Sequence, residues 1–456
     1  MKRMTIVPVA ALMAGSLLAA GMGTAVAASS AQDAAKLGAS LTPMGAEMAG
    51  NKDGSIPAWT GGMTKPLPGY TPGGERADPF ASEKPLYAIT GQSAGKYADK
   101  LADGVQALLA KYPDMRLDVY PSHRTAAAPQ WVYDNTRKNA TRAKLADNGY
   151  AVEGAYGGIP FPIPADGYEA IWNHRLAWNG ESVEFSLGTW IVTPDGARVQ
   201  PSAGQEYIQY PYYYKDGSLE KYEGVNQLGR FINERPASRR GEAILVHEPS
   251  AAGKARAIWQ YLVGQRRVRR APSVAYDTPD FVTSGVGFFD EAFMMFGPVD
   301  GYAFTLAGKK EMYIPYNNNR AASAPIETLM GPKFLNPDLV RWELHRVWVV
   351  DAVLKDGRRH VVPKRRYYLD EDSWQIVMFD GWDAQGKLWR NNYSLTLLAP
   401  DVPAVVTNVF WGGYDLRTGS YYLNAASNGL SKQYTAVPRR PETDWSPDAL
   451  ANSSVQ

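Results

Sequence analysis

Turn signals recur along the second half of this chain, and that punctuation constrains the fold more than any other feature. Pro194-Asp-Gly196, Lys215-Asp-Gly217, Lys355-Asp-Gly357 and Asp383-Ala-Gln-Gly386 supply the aspartate and glycine that tight hairpin connections favour. Around them lie runs suited to strands, at 182–193, 207–214, 243–247, 302–313, 339–353, 360–369, 374–380, 388–398 and 421–423. Consecutive hairpins imply an antiparallel meander. With 12% aromatics, 43 glycines and 32 prolines, the composition fits many short strands, with helices in the minority. The expected fold is mainly β (α+β): a large antiparallel, incompletely closed β-barrel or curved sheet wrapped round helices.

The segment before the meander is expected to be mixed. Residues 1–27 read as a secretory signal, with Lys2 and Arg3, an apolar stretch from Ile6 to Leu18, and Ala25-Val26-Ala27 as the cleavage site. No cysteine stands at that junction, so the lipoprotein route is closed and the mature chain is expected to be soluble and periplasmic. Residues 28–90 are rich in glycine and proline and predict an extended arm with a short helix near Ala34–Leu37. The main domain spans 91–437. Its spacing predicts an amphipathic helix over 95–111 with Ser93 as N-cap. A second is predicted over 130–147, stopping at Asn148-Gly149. Three prolines stiffen 157–166, and Asp166 is placed to cap a helix carrying Tyr168, Ile171, Trp172 and Arg175. Residues 438–456 read as a loosely held polar tail.

Charge and cysteine content exclude several classes. The 48 basic and 46 acidic residues become 46 and 46 once Lys2 and Arg3 are removed. A neutral chain offers no footprint for nucleic acid. Without cysteine there is no disulfide, thiolate metal site or cysteine nucleophile. The histidines (His123, His174, His247, His345, His360) form no metal-binding spacing, so neither metal nor cofactor is expected. Glu343 and His345 would share a strand face as a polar pair, and Asp370-Glu-Asp372 reads as a solvated turn rather than a calcium loop. Gly91-Gln-Ser93-Ala-Gly95 matches a nucleophile elbow but lacks the strands that must precede one, so no catalytic residue is assigned.

The strongest binding signal runs from Ile258 to Phe296. An apolar strand bearing Trp259 and Tyr261 turns into the basic run Arg266, Arg267, Arg269 and Arg270, before the cluster Phe288, Phe289, Phe293, Met294, Met295 and Phe296. Flexible methionines and aromatics suit the wall of an apolar cavity. They also suit ordinary core. Arg267 and Arg269 could grip an anionic head group or simply form a solvated strand face. Together with Trp172, these residues are the candidate ligand contacts.

Several stretches carry a family resemblance: 41–61 (LTPMGAEMAGNKDGSIPAWTG), 158–167 (GIPFPIPADG), 171–174 (IWNH), 313–317 (YIPYN), 342–350 (WELHRVWVV) and 367–376 (YYLDEDSWQI). In these the chain resembles an exported Gram-negative family known as domain of unknown function 1329, distantly similar to the Lol lipoprotein carriers. The resemblance implies an open β-barrel round helices with an apolar interior. It also implies a periplasmic, non-catalytic carrier for lipids or other apolar molecules. The expected partners are the apolar ligand and an envelope transporter or outer-membrane protein, without membrane integration. Two other readings stay open. One is an envelope hydrolase acting on polysaccharide or lipid through carboxylates such as Asp290 and Glu291. The other is an outer-membrane assembly partner.

Overall fold

A computed structural model describes residues 29–271 and 277–453. The expected signal segment and Pro272, at the end of the predicted hairpin, lie outside the described residues.

One 16-stranded sheet dominates. Its first strands are β1 (Tyr87–Thr90), β2 (Arg116–Val119), β3 (Ser182–Val192), β4 (Arg198–Gln209), β5 (Val225–Arg235), β6 (Ala243–Pro249), β7 (Ala257–Leu262) and β8 (Arg267–Arg270). Then come β9 (Tyr302–Pro315), β10 (Trp342–Leu354), β11 (Lys364–Asp370), β12 (Ile376–Trp382), β13 (Leu388–Ser394), β14 (Trp411–Asp415), β15 (Tyr421–Ala426) and β16 (Thr435–Ala436). The order is β1-β2-β10-β11-β12-β13-β14-β15-β3-β4-β5-β6-β7-β8, with β9 beside β10 and β16 beside β3. Two antiparallel meanders, β3–β8 and β9–β15, therefore meet at a β15–β3 seam. The parallel contact is the bridge Trp342–Val119. The sheet does not close on itself, and the expected incompletely closed antiparallel architecture is what the strands form.

Helices pack on both faces of the sheet. Helix α1 (Asp103–Lys111) covers one face, where the Gly104 N–H donates to Asp380 Oδ1 at 3.1 Å. A Cβ at Gly104 would lie 2.4 Å from both Asp380 and Asn391, so only glycine permits this approach. Helix α2 is Gln130–Arg142. Helix α3 (Gly167–Arg175) packs on the opposite, inner face, with Tyr168 edge-on to Phe304 at 5.3 Å. Asp166 caps α3 as expected, its side chain accepting from the Glu169 N–H at 2.9 Å.

Local chemistry redirected several predicted elements. The 95–111 helix is split into a 3-10 turn, Ala94–Lys100, and α1, because Leu101 and Ala102 are extended between them. Ser93 caps neither; its Oγ accepts from the Thr90 N–H at 2.9 Å. Helix α2 stops at Arg142, and Asn148-Gly149 turns a small hairpin between Lys144–Ala146 and Ala151–Glu153 instead of ending a helix. Both residues have positive φ (57° and 90°), the conformation that favours Asn-Gly in hairpins. Lys215-Asp-Gly217 lies in the longer β4–β5 connection, whereas the other three turn signals do join paired strands.

The N-terminal segment is tied down by buried polar contacts. Trp374 Nε1 donates to Met44 O at 2.7 Å, and Arg76 pairs with Asp401 at 2.7 Å. Arg124 is the central clamp: it donates to the carbonyls of Glu47 (2.7 Å) and Met48 (3.2 Å) while gripping both oxygens of Asp372 (2.6 and 2.8 Å). Asp370, Glu371 and Asp372 are consequently buried rather than a solvated turn, because cations reach them from three directions. Lys309 and Arg346 hold Glu371 (3.2 and 3.3 Å), and His345 lies 4.0 Å from Asp370.

The C-terminal segment is docked, not loose. Trp445 and Leu450 are buried against Leu228, Leu245 and Tyr261, with the helix Pro447–Ser453 packed on β6–β8. Arg124→Leu should strand the Asp372 carboxylate in the interior and cost about 3–5 kcal/mol. Urea unfolding followed by tryptophan fluorescence would measure the loss.

Candidate ligand-binding site

The inner face of β3–β6 forms a floor. Directly paired residues on antiparallel strands project to the same side. The register thus sets Phe185, Glu206, Phe231, Ile244, Gln260 and Arg269 in one row across β3–β8. A second row holds Val183, Ile208, Gly229, Val246 and Ile258.

Residues 278–297 lie over this floor as a plug. Their centre is a 3-10 segment, Phe289–Met294, in which Phe293 and Met294 have positive φ (51° and 70°). Buried charges fasten it to the strands. Asp290 pairs with Arg365 at 2.8 Å and stands 3.4 Å from His360; Glu291 pairs with Arg390 at 2.6 Å and accepts from the Phe288 N–H at 3.1 Å. Burial alone would raise the Asp290 carboxyl, but Arg365 and His360 outweigh it and hold it below its ordinary range. His174 of α3 adds a neutral stitch. Its Nδ1 accepts from the Ile376 N–H (3.1 Å), which leaves Nε2–H to donate to Phe293 O (3.2 Å). Burial holds that imidazole at a pKa of about 3, so it stays uncharged. Arg175 donates to Gly297 O and pairs with Glu248.

Between plug and floor is a pocket, open to solvent on one side, whose enclosed and open space together come to about 700 Å³. Leu187, Phe231, Ile244 and Val246 line it from the sheet, Phe289, Phe293 and Phe296 from the plug, and Trp411 from β14. A more polar pocket of about 460 Å³ adjoins it, sharing Gln227, Phe293 and Phe296 and adding Met295, His174 and Arg175.

The sequence-predicted residues divide accordingly. Phe289, Phe293 and Phe296 line the apolar pocket and Met295 the adjoining one. Met294 is fully buried in core, and Phe288 turns away to pack edge-on against His360 (5.4 Å) and Trp389 (6.0 Å). Trp172 is also core, because its Nε1 donates to Gly149 O (2.9 Å) inside the α3 packing. Trp259 and Tyr261 point to the outer face, where the C-terminal segment covers them. Arg267 and Arg269 are exposed on the edge strand β8, on the pocket side of the sheet, roughly four strand spacings (~19 Å) from Glu206. Asp290 and Glu291, the carboxylates a hydrolase would need, are each engaged by an arginine.

The residue that pattern reading missed is Glu206, one position before the predicted strand at 207. It is half-buried within the pocket wall, and it has no hydrogen-bond or ion-pair partner among the described residues. Burial pushes its pKa up to about 8. Asp280, also in the lining, is raised to about 6 by burial, although it accepts from the Val282 N–H at 2.9 Å. Among the described residues, the side chains that could together hold a metal are His345, Asp370 and Asp372, with ligand atoms within 4.8 Å of one another. That group belongs to the Arg124 clamp, distinct from the pocket, and Arg124 occupies both Asp372 oxygens.

Residues 88–451 match the model of a family described as "Protein of unknown function (DUF1329)". The chain belongs to this family. An uncharacterised protein of Pseudomonas aeruginosa is 39% identical over 98% of both chains. Among solved structures, a DUF1329 family protein from Desulfovibrio piger is 14% identical, with a TM-score of 0.41, over 62% of this chain and 97% of its own. A putative outer membrane lipoprotein-sorting protein domain from Vibrio parahaemolyticus is 15% identical, with a TM-score of 0.42, over the same shares. A LolA superfamily protein from Nitrosomonas europaea is 11% identical, with a TM-score of 0.35, over 63% of this chain and 100% of its own. Among the described residues, no helix is long and apolar enough to cross a membrane.

The raised Glu206 pKa has a stability consequence. An acid whose pKa rises on folding binds its proton more tightly in the native state, so stability falls as pH climbs from about 4.5 to about 8. Glu206→Gln removes that titration. The variant should match the wild type in thermal stability at pH 4 and exceed it at pH 8, measured by differential scanning calorimetry.

Proposed function

We propose that this protein is a non-catalytic periplasmic carrier of lipids or other apolar molecules, which it holds between the plug and the inner sheet face. The observation that carries this reading is the pocket itself. Its walls are predominantly apolar, three of them are phenylalanines from one segment, and it lies on a rigid β floor. Burial of an alkyl chain gains about 0.8 kcal/mol per methylene before ordering costs, so such a site binds usefully without any reactive group. Arg267 and Arg269 on the pocket side of the open edge offer guanidinium groups to an anionic head outside the cavity. An envelope transporter or outer-membrane protein would receive the cargo.

Native mass spectrometry of protein purified from the periplasm without detergent should show an apolar adduct. A ligand-free spectrum, combined with failure to bind a fluorescent fatty acid, would sink the reading. Gly229 gives a clean control. A Cβ there meets nothing closer than 3.8 Å, and its φ is ordinary, so Gly229→Leu fills the pocket floor without backbone strain. It should weaken fatty-acid binding by about tenfold or more, through lost pocket volume alone.

A further inference from the structure

Apart from the Trp411 indole, the pocket's polar lining is acidic or amide, and among the described residues no lysine, arginine or histidine lines it. The arginines nearest the plug are paired with acids, Arg390 with Glu291 and both Arg175 and Arg256 with Glu248. Asp280 is satisfied by its own loop, and Asn424 Oδ1 already accepts from Thr189 Oγ1 (2.6 Å) and from the Ala425 N–H (2.7 Å). Glu206 is different. Its Oε1 and the Nε2 of Gln227 each lie 3.8 Å from the position a Cβ would take at Gly229, so the missing side chain leaves both open over one patch of floor. Neither side chain has a hydrogen-bond partner among the described residues. A carboxyl left unpaired in an apolar wall is costly, and one that meets a donor there regains a hydrogen bond, charge-assisted when the donor is an ammonium.

Resting on the carrier reading above, we infer that the cargo carries a hydrogen-bond donor, a hydroxyl or an ammonium, which Glu206 accepts over the bare backbone of Gly229. A carboxylate or phosphate inside the cavity would lose its hydration with no cation among the lining residues to offset its charge. Anionic groups are therefore excluded from the floor and confined to the rim. Gln227 lies beside the carboxyl with an amide that can donate to the oxygen of a bound hydroxyl, completing its coordination.

The test uses three dodecyl compounds that differ only at the polar end: dodecanol, dodecylamine and dodecyl methyl ether. Each is titrated against a fluorescent naphthylamine probe bound to the full mature chain. The alcohol or the amine should displace the probe about tenfold more tightly than the ether, and the better of the two identifies the donor. Glu206→Leu should erase this preference while leaving ether binding intact, and Glu206→Gln should keep the alcohol but lose the amine. Equal affinity for all three compounds in the wild type would overturn the inference while leaving the carrier reading in place. Binding of none of them would overturn both. Removing an unpaired acid does not threaten folding, and ether binding by the leucine variant reports that its pocket is intact.

Discussion

The pocket depends on the two ion pairs that fix the plug to the sheet, Asp290 with Arg365 and Glu291 with Arg390. Without them a segment as apolar as Phe288–Phe296 would collapse onto the floor, because burying phenylalanine is favourable at any distance from the backbone. Consecutive carboxylates drawn to arginines on β11 and β13 fix the segment's position and orientation. Phe293 and Met294 adopt left-handed backbone to follow. The neutral His174 then determines how Phe293 is presented. Charge, which contributes little to stability when desolvation is counted, here contributes position.

Much of the architecture was legible because turn chemistry is local. Pro194-Asp-Gly196 and Asp383-Ala-Gln-Gly386 need no tertiary information to reverse the chain. The strands flanking the second turn pair as read, whereas the first leads into β4 at Arg198–Gln209, not the expected 207–214, where Pro211–Tyr213 forms a 3-10 turn. What escaped were strands whose residues serve neighbours instead of propensity. β5 contains Gly229, two asparagines and a glutamine, and β4 contains Pro201 and Gly204, all weak strand formers. Two of those residues, Gln227 and Gly229, line the pocket. The Asn148-Gly149 pair shows the converse: its strong turn signal was right, but the preceding helix ended five residues earlier than expected. The aromatic cluster was visible as a cluster, yet its division between pocket and core rests on one 3-10 turn that no periodicity encodes.

Four of the six stretches that carry the family resemblance gather elsewhere. Leu41–Gly61, Tyr313–Asn317, Trp342–Val350 and Tyr367–Ile376 converge on the Arg124 clamp, where Glu343, His345 and Asp370 form a continuous buried network with Tyr316 and Asn317.

The seam between β15 and β3 carries a cost that appears only in time. Strand β3 is made early, but its partner β15 begins at Tyr421 and β16 follows at Thr435. Until both emerge, the first meander exposes a long unpaired edge, open to any strand nearby. Folding of the sheet's middle therefore waits for nearly the whole polypeptide, a demand that suits a chain delivered to its compartment in one unfolded piece and penalises one that begins to fold during synthesis.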